Sequence, residues 1–312
     1  MSLIHFRDAD QPAHTPAQAK VTTATLIEKK LAGHPITALT AYDYATARLV
    51  DEAGIDMVLV GDSLAMVVMG LDSTLPVTVD EMLHHTRAVR RAVKRALLVA
   101  DMPFGSYHAS PEQAVEQAAR FLKEAGAEAV KIEGGRPELV KRLVEAEIPV
   151  IGHLGLTPQS VHRMGGYKVQ GKTLDAIEQL RHDAVALETA GASAVVLEGM
   201  PREVARVITE ALSIPTIGIG AGPDCDGQIL VLHDMLNMTF SHRPKFVRQY
   251  GDAAALIRTA LTDFRHDVEM RSFPSEDESY HLPKKTTEAL ESHGRPVAAT
   301  VASFDKERFE KE

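Results

Sequence analysis

Residues 53–62 read AGIDMVLVGD, residues 125–133 AGAEAVKIE and residues 190–198 AGASAVVLE. Each copy is Ala-Gly, a short apolar run, then an acid. Glycine ends helices in the left-handed conformation at little steric cost. A run that is apolar at every position, such as MVLV or AVVL, suits a strand covered on both faces of a parallel sheet. The phrase therefore reads as helix, stop, buried strand, and a carboxylate at the strand's C-terminal end. That end is where parallel α/β proteins carry their chemistry.

Composition narrows the function classes. The 312 residues are 45% apolar and 25% charged, enough for one large domain or two small ones. A formal net charge of −9 disfavours a nucleic-acid partner. Cys225 is the only cysteine, so no internal disulfide forms, which suits a reducing cytoplasm. The opening MSLIHFRDADQ lacks the apolar core of a signal peptide. No run approaches the roughly 20 apolar residues of a membrane helix. The expectation is a cytoplasmic protein with no membrane partner.

Strand patterns recur at Thr37–Asp43, Met57–Asp62, Leu97–Asp101, Ala129–Glu133, Pro149–His153, Ala194–Glu198, Pro215–Gly220 and Leu230–Asp234. Helical patterns fill the gaps. Thr78 and Glu81 have capping-box spacing. Ser110-Pro111-Glu112-Gln113 offers an N-cap with proline at the first helical position. Thr173 suits a cap, and Pro201 opens a further helix. Eight strands alternating with helices over roughly 250 residues predict a (β/α)8 TIM barrel, with a doubly wound sheet as the alternative. The barrel is expected over residues 21–274, between a polar extension at 1–20 and a C-terminal extension at 275–312, largely loose after about 284.

The polar residues at the expected strand ends are Asp43, Asp62, Ser63, Asp101, Lys131, Glu133, His153 and Glu198. In a closed barrel they converge on one mouth. Lys131 and Glu133 are two apart on a strand and share a face. Several carboxylates in one cleft repel unless positive charge lies between them. Lys131 supplies one charge, and a hard divalent cation held by oxygens, with Mg²⁺ the natural choice, supplies the rest. Asp43 reads equally well as a helix N-cap. His153 alone reads as a core histidine. Gly218-Ile219-Gly220-Ala221-Gly222 reads as a tight loop before a phosphate cradle, and Gly165-Gly166-Tyr167-Lys168 as a lid or a plain turn. Met66, Met69 and Met82 read as packing residues.

Seven motifs then occur in order: TAYDYATA (40–47), VGDSLAMVVMGLDSTLPVTVDEM (60–82), ADMPFGSY (100–107), VKIEGG (130–135), GHLGLTPQSV with GGYKVQGKT (152–173), LEGMP (197–201) and IGIGAGPDCDGQILVLHDML (217–236). Together they resemble the ketopantoate hydroxymethyltransferase family over about residues 22–282. The resemblance implies a Mg²⁺-dependent barrel that moves the one-carbon unit of 5,10-methylenetetrahydrofolate to 3-methyl-2-oxobutanoate. The product would be 2-dehydropantoate, in pantothenate biosynthesis. It implies Asp62, Asp101 and Glu133 as the metal-site acids, with Asp101 innermost. It implies Asp62, Ser63, Asp101 and Lys131 as oxoacid contacts, Glu198 as proton acceptor and His153 as an active-site histidine. It implies a homodecamer, a pentamer of dimers. Gly199 and Met200 differ from the neighbours the motif usually carries.

The chemistry matches those groups. An oxoacid chelated through its carboxylate and 2-oxo oxygens becomes acidic at C3, because the metal stabilises the enolate. A positioned carboxylate can then remove the C3 proton. No covalent nucleophile is required, so Cys225 reads as incidental. Two other readings remain at this stage: a Mg²⁺-dependent oxoacid lyase or mutase that needs no folate, and a non-catalytic oligomeric scaffold.

Overall fold

The computed structural model describes residues 19–240 and 243–293. Eight strands run in chain order: β1 Ile36–Thr40, β2 Met57–Val60, β3 Leu97–Asp101, β4 Ala129–Glu133, β5 Val150–Gly155, β6 Ala194–Glu198, β7 Thr216–Ile219 and β8 Gly227–Leu230. Each pairs in parallel with the next, and β8 pairs with β1, so the sheet closes into a barrel. The expected (β/α)8 architecture is the observed one, and the doubly wound alternative falls.

The helices are α1 Thr23–Leu31, α2 Tyr44–Glu52, α3 Leu64–Val67, α4 Val79–Ala92, α5 Pro111–Ala125, α6 Pro137–Glu145, α7 Val161–Met164, α8 Leu174–Thr189, α9 Arg202–Ala211, α10 Leu232–Met235, α11 Ala253–Glu269 and α12 Lys284–His293. Their boundaries follow local chemistry. Thr78 closes a reciprocal capping box with Glu81 at the start of α4. Ser110 caps α5, Pro111 opens it and Gly126 ends it at φ +73°. Gly54 and Gly191 also have positive φ, 77° and 98°. The repeated Ala-Gly phrase is thus three helix stops, each followed by a buried strand. Asp43 takes the capping reading: its Oδ1 accepts from Thr46 N at 2.9 Å at the start of α2.

One strand is displaced from its expected place. Leu230–Asp234 is mostly α10, and β8 is Gly227–Leu230. An apolar run of this length does not distinguish strand from helix. Glycine at 227 allows close approach: a Cβ there would lie 2.5 Å from Ile36 O on β1. That approach closes the barrel.

Two apolar clusters build the core. The larger lies between strands and outer helices and includes Val58, Val60, Leu98, Ile132 and Phe121. The smaller lines the barrel interior: Ile36, Met57, Leu97, Ala129 and Ala194 at the first strand positions, packed with Leu26 of α1. Helix α1 therefore plugs the N-terminal end. Lys29 pairs with Asp56 at 2.5 Å and Lys30 with Asp226 at 2.9 Å. The two acids are held alike: Thr37 N and Oγ1 donate to Asp56, and Thr216 N and Oγ1 donate to Asp226.

The chain divides into two compact units, one ending at Ala254 and the other beginning at Ala255. The second contains most of α11, a Phe264–Phe273 ring contact and α12. Within the stretch after about 284, Lys284–His293 form α12, whose sequence KKTTEALESH is rich in helix formers. Residues 1–18 and 294–312, where the extensions were expected, lie outside the described residues. Among the described residues no helix is long and apolar enough to cross a membrane.

Candidate active site

Strand alternation builds the site. Leu97 and Val99 of β3, Ala129 of β4, Ile151 of β5, and Ala194 and Val196 of β6 face the barrel interior. Two residues further along each strand, the same parity reaches Asp101, Lys131 and Glu133, His153, and Glu198. The lower barrel is therefore dry and apolar, and its C-terminal mouth is charged. Asp62 follows β2 on a turn, where Gly61 makes room: a Cβ there would lie 2.8 Å from Ser63 Oγ. Ladder pairing places Glu133 beside His153, and Gly155 beside Glu198.

The contacts are direct. Asp62 N donates to Asp101 Oδ2 at 3.0 Å. Lys131 Nζ is 3.0 Å from Asp101 Oδ1 as an ion pair. That approach lies off the hydrogen-bonding direction, so the buried Oδ1 has charge compensation but no hydrogen-bond donor. His153 Nδ1 sits between Lys131 Nζ at 3.2 Å and Glu133 Oε1 at 3.3 Å. These partners are exclusive: a charged ring donates to Glu133, and only a neutral one accepts from Lys131. On the other side, His153 Nε2 is 3.2 Å from Glu198 Oε2, again off the hydrogen-bonding line. Ser63 Oγ lies 2.9 Å from Tyr42 OH.

Burial and charge set the ionisation. Burial pushes the Asp62 carboxyl well above the usual range, and the Asp101 and Glu133 charges add to it, against Lys131 and the Gln159 amide. Burial also raises Asp101, although Lys131 opposes it. Glu133 is held low: burial works against its charge, but His153 and Lys131 outweigh burial. Burial and Lys131 disfavour a charged His153, yet Glu133 and Glu198 carry the ring up to about 9. Lys131 stays charged beside Asp101, Glu133 and Asp62 despite burial.

The structure brings together all of the expected strand-end residues except Asp43, which caps α2. It also places three residues there that sequence reasoning did not single out. Gln159, in the turn after β5, is buried and donates Nε2 to Asp62 Oδ2 at 2.8 Å. Tyr107 donates to Gln159 Oε1 at 2.6 Å, and Tyr42 lies against Ser63. The available signal was a polar residue inside GHLGLTPQSV, but a turn has no periodicity to show which side chain points inward. Gly165 ends α7 in the left-handed region, and Tyr167 OH reaches Met66 Sδ at 3.9 Å across the mouth. Gly218 and Ile219 end β7, and Gly220–Gly222 form the turn that follows, in which Gly222 O accepts from Gln228 Nε2. Met82 is fully buried, whereas Met69 is exposed.

The donor set suits a hard cation. Among the described residues, Asp62, Asp101, Glu133 and Glu198 lie around two cations, Lys131 and His153. Among the described residues, no three His, Cys, Asp or Glu side chains are placed to hold an ion by themselves. Mg²⁺ is commonly held by one or two carboxylates plus water and substrate oxygens. Asp101 Oδ1, ion-paired with Lys131 but without a hydrogen-bond donor, keeps an acceptor site for such an ion.

The sequence profile of the ketopantoate hydroxymethyltransferase family matches residues 20–276. The chain belongs to the ketopantoate hydroxymethyltransferase family. A 3-methyl-2-oxobutanoate hydroxymethyltransferase of Koribacter versatilis (strain Ellin345) is 66% identical over 276 residues, 88% of this chain and 94% of that protein. One from Thermoanaerobacter sp. (strain X514) is 57% identical, covering 86% and 98%. Among solved structures, a phosphoenolpyruvate phosphomutase from Streptomyces platensis subsp. rosaceus superposes with a TM-score of 0.55, covering 87% of this chain and 95% of that one. At 16% identity that likeness is one of fold.

Proposed function

We propose that this chain transfers the one-carbon unit of 5,10-methylenetetrahydrofolate to 3-methyl-2-oxobutanoate, giving 2-dehydropantoate. The observation that carries this reading is the meeting of Asp62, Asp101, Lys131, Glu133, His153 and Glu198 at one barrel mouth in a member of this family. Asp101 would hold Mg²⁺ directly, with Asp62 and Glu133 acting through water. When bound, the ion supplies Lewis-acid polarisation of the oxoacid's carbonyl.

The protein's own groups do the rest. Lys131 and Ser63 receive the oxoacid's oxygens, the first by charge and the second by its hydroxyl. Glu198 takes the C3 proton. His153, cationic between Glu133 and Glu198, holds Glu198 in place. The carbon left with the electron pair forms a C–C bond to the methylene carbon as one of that carbon's two C–N bonds breaks. Water replaces the second nitrogen as the hydroxyl, and the departing tetrahydrofolate takes one proton from Glu198 and one from that water. The apolar barrel floor beneath the mouth keeps bulk water from the lower side.

A homodecamer fits the family resemblance. Helix α11 exposes Leu256, Leu261 and Phe264, apolar surface of the kind that interfaces cover. Light scattering tests that assembly. The activity is tested with purified protein, 3-methyl-2-oxobutanoate and methylenetetrahydrofolate, with and without divalent metal. Product that needs both substrates and the metal supports the transferase. Turnover of the oxoacid without folate would favour a lyase or mutase.

A further inference from the structure

Gln159 makes four hydrogen bonds from one buried position. Its Nε2 donates to Asp62 Oδ2 at 2.8 Å and to Met102 O at 3.0 Å. Its Oε1 accepts from Tyr107 OH at 2.6 Å. Its backbone N donates to Glu133 Oε2 at 3.0 Å. The side chain is 5% exposed, so water does not replace these partners.

The orientation of the amide is fixed by its surroundings. Tyr107 OH already accepts from Glu133 N at 3.2 Å, so its proton goes to Gln159 Oε1. In a flipped amide, Oε1 would face a carboxylate and a carbonyl, neither of which can donate. The Nε2 group is therefore committed to Asp62. Arg136 stacks on the Tyr107 ring at 5.6 Å and holds the phenol from the outside.

The consequence concerns the acids. Asp62 follows β2, and Glu133 ends β4, on the far side of β3. Gln159 takes one oxygen of each, Oδ2 of Asp62 and Oε2 of Glu133, and adds no charge. Asp62 Oδ1 is left over, and Glu133 Oε1 faces His153.

We infer that Gln159, oriented by Tyr107, is a positioning residue that sets Asp62 and Glu133 for a divalent cation and the oxoacid. The inference rests on the metal reading above. Partners that orient metal-holding groups change metal affinity by about 10–100-fold when removed.

The test is calorimetric titration of the full-length protein with Mg²⁺, and with Mn²⁺ followed by its electron paramagnetic signal, neither requiring turnover. Gln159→Glu keeps the size of the side chain but sets a carboxylate against Asp62. Tyr107→Phe keeps the ring but frees the amide. Expected are metal affinity at least about tenfold weaker in Gln159→Glu and a smaller loss in Tyr107→Phe. The Tyr107→Phe effect should vanish in a Gln159→Ala background. The KM for the oxoacid should rise with the loss of metal. Wild-type metal affinity in a folded Tyr107→Phe and a folded Gln159→Glu would overturn the positioning role alone. Failure of the wild-type protein to bind either metal would overturn that role together with the metal reading.

Discussion

Glu198 Oε2 lies 3.2 Å from His153 Nε2, across the ladder that pairs β5 with β6. The same ring is 3.3 Å from Glu133 on its other side. A cationic imidazole between two carboxylates holds Glu198 without consuming it. Replacing Glu198 by glutamine keeps the shape and removes the proposed base. The oxoacid and metal should still bind, while C3 proton exchange falls by at least about a hundredfold, the scale of general-base catalysis. Deuterium exchange at C3 followed by NMR reads this. Exchange at the wild-type rate would remove Glu198 from the role.

Asp101 has a different task. Its Oδ2 accepts from Asp62 N and its Oδ1 faces Lys131. Asp101→Ala leaves a buried ammonium without its nearest counter-charge and removes the oxygen proposed to meet the metal. Mg²⁺ affinity should fall by more than about tenfold. Thermal stability should fall too, because breaking a buried pair from one side typically costs about 3–5 kcal/mol; less repulsion on Asp62 offsets part of this. Unchanged calorimetric titration would place the ion elsewhere.

How far the sequence carries depends on periodicity. Asp101, Lys131, Glu133 and Glu198 end strands whose apolar runs are unbroken, so type, end and face can all be read. Lys131 and Glu133 share a face because strand alternation has period two. Asp62 is legible only by its position after a run, since it sits on a turn. Gln159 is not legible. It is 97 residues from Asp62, and a turn has no period to show which side chains are buried. The eighth strand was misplaced for a related reason: Gly227 carries no side chain, and its role is to let β1 approach.

Gly155 offers a test of how tightly the base is held. Its φ is +94°, and a Cβ there would lie 2.2 Å from Glu198 O. Leu156 N donates to that same carbonyl at 2.8 Å. Gly155→Ala therefore strains its own backbone and pushes on the end of β6. The strain should destabilise the fold by more than about 1 kcal/mol. Displacement of Glu198 should lower kcat more than it raises the KM for the oxoacid. A variant with unchanged melting temperature and kcat would show that β6 can yield without moving Glu198.

Acid stability is set at the opposite end of the barrel. Asp56 is buried there and accepts hydrogen bonds from Lys29, Arg95, and both the N and Oγ1 of Thr37. Burial disfavours its charge, but the bond from Lys29 and those from Thr37 and Arg95 outweigh burial and hold the carboxyl below its usual range. The unfolded chain takes up this proton near pH 3.9, roughly the model-peptide value, and the folded one at lower pH. The stabilisation is therefore fully present above about pH 4 and is lost as pH falls through the folded-state value. Asp56→Asn should destabilise the protein at pH 7 by about 3–5 kcal/mol, because Lys29 and Arg95 lose their shared counter-charge. It should also flatten the fall of stability with acid. Urea unfolding from pH 7 to pH 3 checks both. An equal acid slope in the variant and the wild type would assign the loss to other carboxylates.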